Sequence, residues 1–397
     1  CLVLNWKFNL TRYMKINFKY ILLVMLLILF GLSISMGREK KKILKKTAVT
    51  PYLDWKMHPV GNFRLQITNF GMIGGDNQYF VHPEGFISCE YPANSGIAHF
   101  EGGGLWLGAI IDTSSAPGIK KEIKKVTTGY EGWGGDGYST GGGGLLNEMF
   151  PLNNKKDSIL EITSKSLMPD YWSSYYGNRT FAPLSDQDFL CSYSDTILPS
   201  PDPMHVPIGI KILQRSLSWK SDYMDGIIIV EYEIINLRLK SIKDIYAGFF
   251  MDMDVGPYNI QKEKFGSNRN YWESNYAAFI DSIKLAYVDN PVDKPSTPIG
   301  HSIVKCSVPL ENLKFSFHWY NSEQSPDPDS RRYDFLSNGY RMPDQSKTAL
   351  NDTRFLVGFG PFNFMNSDTI KITTALVSGE TTEDLINDIL FFEKIDV

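Results

Sequence analysis

Between Ile227 and Val255 the side chains alternate in character residue by residue, and that alternation restricts the chain to extended structure. In Ile227–Ile235, Ile228, Val230, Tyr232 and Ile234 fall on one face of a strand, with Glu231 and Glu233 on the other. In Ile245–Val255, Ile245, Ala247, Phe249, Met251, Met253 and Val255 share a face, opposite Tyr246, Gly248, Phe250, Asp252 and Asp254. With the apolar run that begins at Val206, short polar links then predict an antiparallel meander across Val206–Gly256.

The rest of the chain has a similar texture. Aromatic residues make up 13% and there are 33 glycines, a mixture that favours strands and tight turns. Phe63–Phe70, Gly104–Ile111, Asn275–Val288, Ser302–Val308 and Leu313–Tyr320 are strand-like. Phe355–Phe359 and Thr369–Val377 flank a turn-like segment and predict a hairpin. Tyr130–Gly144 is too glycine-rich to pack a core and reads as a loop, as does the polar stretch Ser325–Arg332. At the end, Thr381 and Asp384 have capping-box spacing, and Leu385, Ile389 and Phe392 share a helical face. The expected fold is all-β: a large antiparallel β-sandwich, or two fused sandwiches, over 61–379, with long loops and one C-terminal α-helix over 380–397.

The chain begins with Cys, and residues 1–13 read as upstream translation. Met14 then opens a segment with basic Lys15 and Lys19, an apolar run Tyr20–Leu32 and the small residues Ser35 and Gly37. That is the layout of a secretory signal peptide over 14–37, followed by a charged linker over 38–60. The rival is an uncleaved membrane anchor, with the body in the periplasm. The net charge is −4. The first 37 residues hold four basic and no acidic side chains, so the body without them carries −8 and offers nucleic acid no electrostatic footprint. Cys89, Cys191 and Cys306 are far apart and form no CxxC pair, which leaves three buried thiols, or one disulfide and a free thiol.

Two groups of residues are candidates for binding. Asp252 and Asp254 project from one face of a strand end, about 6.6 Å apart at ~3.3 Å per residue. Beside the Gly256-Pro257 turn they suit Ca²⁺, the one cofactor the sequence suggests. An EF-hand frame does reach Glu263 at its twelfth position, but it puts Pro257 where the sharp-turn glycine belongs. The plainer reading is a pair of solvated turn acids. Asp186, Asp188 and Asp202 are further acids in the loop-rich middle. Tyr171, Trp172, Tyr175 and Tyr176 crowd four large rings into a polar stretch, read as a loop, and Trp133 lies in the glycine-rich segment. Rings next to amides and acids suit glycan binding, since a sugar ring stacks while polar groups bond its hydroxyls. The plainer reading is that these rings cover a sheet edge. Glycine-rich stretches lack the Gly-Lys-Ser/Thr of a phosphate loop, the six histidines lack zinc spacing, and GxSxG is absent.

Several phrases carry a resemblance when taken together and in order. They are SCEYPANSGIAHFEGGGLWLGAII (88–111), SDQDFLCSYSD (185–195), PIGIKILQRSLSWKSDYMDGIIIVEYEIIN (207–236), IYAGFFMDMDVG (245–256), RFLVGFGPF (354–362) and ALVSGETTEDLINDI (375–389). The set resembles a group of secreted proteins of Bacteroidetes-related and Marinimicrobia-like bacteria that usually end in a type IX secretion sorting domain. The resemblance implies export, a β-rich body and a surface-attached fate, and it implies no reaction. The sorting domain is absent here, so a chain incomplete at its end is expected. The resulting expectation is a noncatalytic extracellular or cell-surface module, structural or ligand-binding, with glycan or cell-surface components as partners. The alternative is a glycan-active enzyme or its accessory domain.

Overall fold

A computed structural model describes residues 47–48, 51–75, 86–113, 121–131, 147–151, 157–164, 166–198, 206–258, 270–321, 326 and 328–395. These fall in one compact unit, Lys46–Val397. The leader expected over 14–37 and residues 38–46 of the charged linker lie outside the described residues, as does Trp133. Among the described residues no helix is long and apolar enough to cross a membrane.

Two antiparallel sheets form the body. The eight-stranded sheet runs in the order Tyr276–Ile280, Leu285–Asp289, Ile299–Cys306, Thr369–Ser378, Ile227–Asn236, Ile210–Ser218, Gln187–Ser194, Leu160–Ile162. The eleven-stranded sheet is centred on Gly102–Asp112, Ile242–Asp252, Thr353–Phe364 and Lys314–Asn321. It takes in Trp55–His58, paired with Arg64–Thr68, so the sheet starts upstream of Gly61. A single core lies between the sheets. Ile228, Val230, Tyr232 and Ile234 come from one side, and Ile245, Ala247, Phe249, Met251, Met253 and Val255 from the other. These are the two apolar faces that the alternation marks out. The all-β sandwich expected from sequence is the fold observed.

The pairing differs from expectation in two places. Ile210–Ser218 and Ile227–Asn236 are neighbours, but Ile242–Asp252 belongs to the other sheet, so the meander stops after two strands. Likewise Thr353–Phe364 and Thr369–Ser378 do not form a hairpin; each pairs within a different sheet. Alternation fixes which face of a strand is buried. It does not say which sheet the strand joins, because both inner faces meet the same core.

There are three α-helices among the described residues, two more than expected. Thr382–Phe392 has the predicted capping box: Asp384 N–H donates to Thr381 Oγ1, and Thr381 N–H donates to an Asp384 carboxylate oxygen. Its Leu385, Ile389 and Phe392 cover Leu217, Ile227, Ile229 and Val377 on the outer face of the smaller sheet. Asp329–Ser337 forms where a polar loop was expected, starting just after Pro328. Its Tyr333 and Leu336 lie on Trp106, Phe250 and Leu356, on the outer face of the larger sheet. Leu336 comes close enough that a Cβ on Gly358 would sit 2.6 Å from its Cα. Tyr130, assigned to a coreless loop, is fully buried in the same cluster. Cys89, Cys191 and Cys306 are free thiols, the first two buried.

Candidate functional site

The outer face of the eight-stranded sheet changes character along its strands. Leu217, Ile229 and Ala375 form an apolar row beneath the C-terminal helix. Two residues along, the row reads Arg215, Glu231, Thr373, Lys305, each paired with the next. The next row holds Glu233 and Lys371. Where the apolar rows give way to the charged ones lies a groove of about 460 Å³. Ile229, Val304 and Phe392 line it as apolar wall, and Glu231, Lys305, Lys371 and Thr373 supply its polar groups. Burial raises the Glu231 pKa above the usual carboxylate range, although Arg215 pulls it back.

The aromatic stretch borders this face, and it is a helix, Asp170–Tyr176. The spacing of 171, 172, 175 and 176 puts the four rings on one side of a helical turn, a signal the loop reading overlooked. Tyr171 and Trp172 are buried against Leu190, Leu213 and Ile235. These two cover the sheet and offer no free ring face to a ligand. Tyr175 is 41% exposed, with the Lys211 ammonium 5.3 Å from its ring centre. Tyr176 is half-buried, 6.0 Å from the Trp172 ring. Lys371 joins the two features. It lines the groove, donates to Glu233 Oε1 at 2.9 Å, and holds its ammonium 5.8 Å from the Tyr176 ring centre.

The carboxylate candidates lie on the other sheet. Asp252 and Asp254 are not solvated turn acids: they are 0% and 8% exposed. Tyr320, Arg354, Asp252 and Gly102 form one transverse row across four strands, each paired with the next. The Tyr130 ring lies over Gly102, where a Cβ would be 2.7 Å from a ring carbon. Arg354 Nε donates to Asp252 Oδ2 at 2.6 Å and its Nη2 lies 3.8 Å from Asp352. Asp352 completes the group, and one ligand atom from each of Asp252, Asp254 and Asp352 lies within 4.8 Å of the others. Sequence reading did not find Asp352, because pairing between strands distant in the chain brings it there. Burial pushes the Asp252 pKa to about 7, with Arg354 opposing and Asp352 reinforcing the shift. Burial, then Asp252 and Asp352, hold the Asp254 carboxyl well above its usual range.

The other acids are committed elsewhere. Asp188 is buried, paired with Arg215, and accepts from the Leu184 and Ser185 N–H groups. Asp186 accepts from Lys220 N–H, and Asp202 lies outside the described residues.

No family model matches the chain, and no curated protein matches it. Among solved structures, one titled a polysaccharide lyase is similar at 11% identity with a TM-score of 0.25, covering 72% of this chain. The chain spans about a third (34%) of that structure's length.

Proposed function

We propose that this chain is an exported, noncatalytic β-sandwich protein that binds glycan on the outer face of its eight-stranded sheet, at the bacterial surface or outside the cell. Export is supported by the leader-like arrangement of Lys15, Lys19 and the apolar run Tyr20–Leu32. One observation carries the binding reading: Lys371 lies in the groove and over the Tyr176 ring at once. A groove lined by carboxylates, ammonium groups and a hydroxyl thereby adjoins an aromatic ring. Sugars ask for that combination, an apolar ring face to stack on and several groups of both hydrogen-bonding senses for hydroxyls. Lysines and acids are mixed here, which favours neutral or mixed-charge glycans over strongly anionic ones.

The test is titration calorimetry and a glycan array with the full chain. Binding of a neutral polysaccharide is expected, weakened by Tyr176→Ala and by Lys371→Ala. Silence across neutral and anionic glycans, or affinity unchanged in both variants, would overturn the reading.

A further inference from the structure

Each of the three carboxylates at this end of the larger sheet has one oxygen that the described residues leave unpartnered. Oδ1 of Asp252, Oδ1 of Asp254 and Oδ1 of Asp352 are each buried without a hydrogen-bond partner among the described residues. A buried carboxylate oxygen left unpaired is destabilising, so three in one place point to an occupant. The charge balance points the same way. Ionised together, the three carboxylates would set three negative charges against the one guanidinium of Arg354, a state that burial and mutual repulsion oppose until a cation joins them.

We propose that Asp252, Asp254 and Asp352 form a binding site for a divalent cation of calcium's size and hardness. The ligand set is all carboxylate oxygen, which suits calcium, magnesium or manganese and disfavours zinc and copper. Oxygens around calcium lie about 2.3–2.6 Å from the ion, so two ligands of one ion are at most about 5 Å apart. The ligand atoms all lie within 4.8 Å of one another, inside that limit. Magnesium demands near-ideal octahedral geometry and gives up its waters reluctantly, so a site of three carboxylates and one guanidinium favours the larger, more tolerant ion. Three carboxylates supply part of the roughly six to eight oxygens that calcium takes, and water fills the remainder. Arg354 acts as a positioning residue: its bond to Asp252 Oδ2 leaves Oδ1 as the free oxygen. The ion ties the segment just past the Ile242–Asp252 strand to the entry of the Thr353–Phe364 strand.

The experiment uses the full chain, stripped with a chelator and then titrated with calcium or magnesium chloride. Terbium serves as a luminescent calcium substitute, since Tyr271 and Tyr130 neighbour the acids. Expected results are a higher melting temperature with millimolar calcium, a smaller rise with magnesium, and terbium luminescence that calcium competes away. Asp254→Asn and Asp352→Asn should each bind calcium roughly tenfold to hundredfold more weakly. Asp352 lies at the rim, its side chain 28% exposed, so its variant remains informative if Asp254→Asn fails to fold. A folded wild-type protein with no calcium-dependent melting shift and no terbium luminescence overturns the proposal. So does calcium affinity left unchanged in the folded variants.

Discussion

Glu131 and Arg332, 201 positions apart in the chain, meet as a two-pronged ion pair with N···O distances of 3.0 and 3.2 Å. Their side chains are 2% and 3% exposed. Thr128 Oγ1 donates to the same carboxylate, Arg332 Nε donates to the Pro326 carbonyl, and the guanidinium stacks 5.5 Å from the Trp106 ring centre. The pair fastens the Asp329–Ser337 helix to the larger sheet. Arg332→Met alone should lower stability by about 3–5 kcal/mol, because it leaves the buried Glu131 charge without its counter-ion. Glu131→Leu should cost less, since Asp329 lies 3.8 Å from the same guanidinium. The double variant should lose less than the two single losses combined. Urea unfolding measures this, and simple additivity would contradict a buried, coupled pair.

His301 is 0% exposed, packs 4.5 Å from the Phe249 ring, and neither ring nitrogen meets a hydrogen-bond partner among the described residues. Burial lowers its pKa from the ordinary 6.5 to about 3. Its folded pKa lies below the unfolded one, so the unfolded chain takes up the proton first. Stability is therefore lost as pH falls from about 6.5 towards 3, by up to about 1.4 kcal/mol per pH unit. His301→Leu should be neutral or stabilising at pH 7, since it removes two unpaired polar atoms. Its advantage over wild type should widen between pH 6.5 and 4.5. Parallel pH dependences in denaturant melts would show that His301 does not stay neutral in the folded protein.

Gly358 lacks room for a methyl group. A Cβ there would lie 2.6 Å from Leu336 Cα, from the Leu336 carbonyl oxygen and from Ser316 Oγ. Two of those atoms are backbone and cannot swing aside. Gly358→Ala should cost about 1–3 kcal/mol by forcing the Asp329–Ser337 helix away from the sheet. Thermal melts measure the loss, and an unchanged melting temperature would mean that the helix sits further out.

The terminal helix depends on its cap. Removing the Thr381 hydroxyl by Thr381→Ala should cost about 1 kcal/mol. Asp384→Ala should cost a similar amount, and the pair should be less than additive because each side chain bonds the other's backbone. Hydrogen exchange in Thr382–Phe392 should speed up ahead of the sheets in both variants.

Alternation was enough to pick out Ile227–Asn236 and Ile242–Asp252 and the faces they turn to the core between the sheets, because a period of two is a local property. Thr381, Asp384, Leu385, Ile389 and Phe392 were legible for the same reason, since a cap and one helical face span few residues. Gln187–Ser194, in the loop-rich middle, was not picked out. Partners were not legible. Asp252 meets Arg354 across 102 positions and Glu131 meets Arg332 across 201, and no local pattern encodes such a meeting. The aromatic helix was within reach, because 171, 172, 175 and 176 already have helical spacing. Composition outweighed that spacing in the loop reading. The groove was hidden for a different reason: Glu231, Lys371 and Lys305 look like an ordinary solvated strand face until two helices flank them.

The switch of sheet between Phe364 and Thr369, repeated between Asn236 and Ile242, interleaves the two halves of the sandwich along the chain. Cutting anywhere between Ile162 and Thr353 leaves both layers short of strands, so neither layer can be excised as a self-sufficient fragment. The barrier to folding then rests on assembling both layers together, and loss of either one exposes the inner surface of the other.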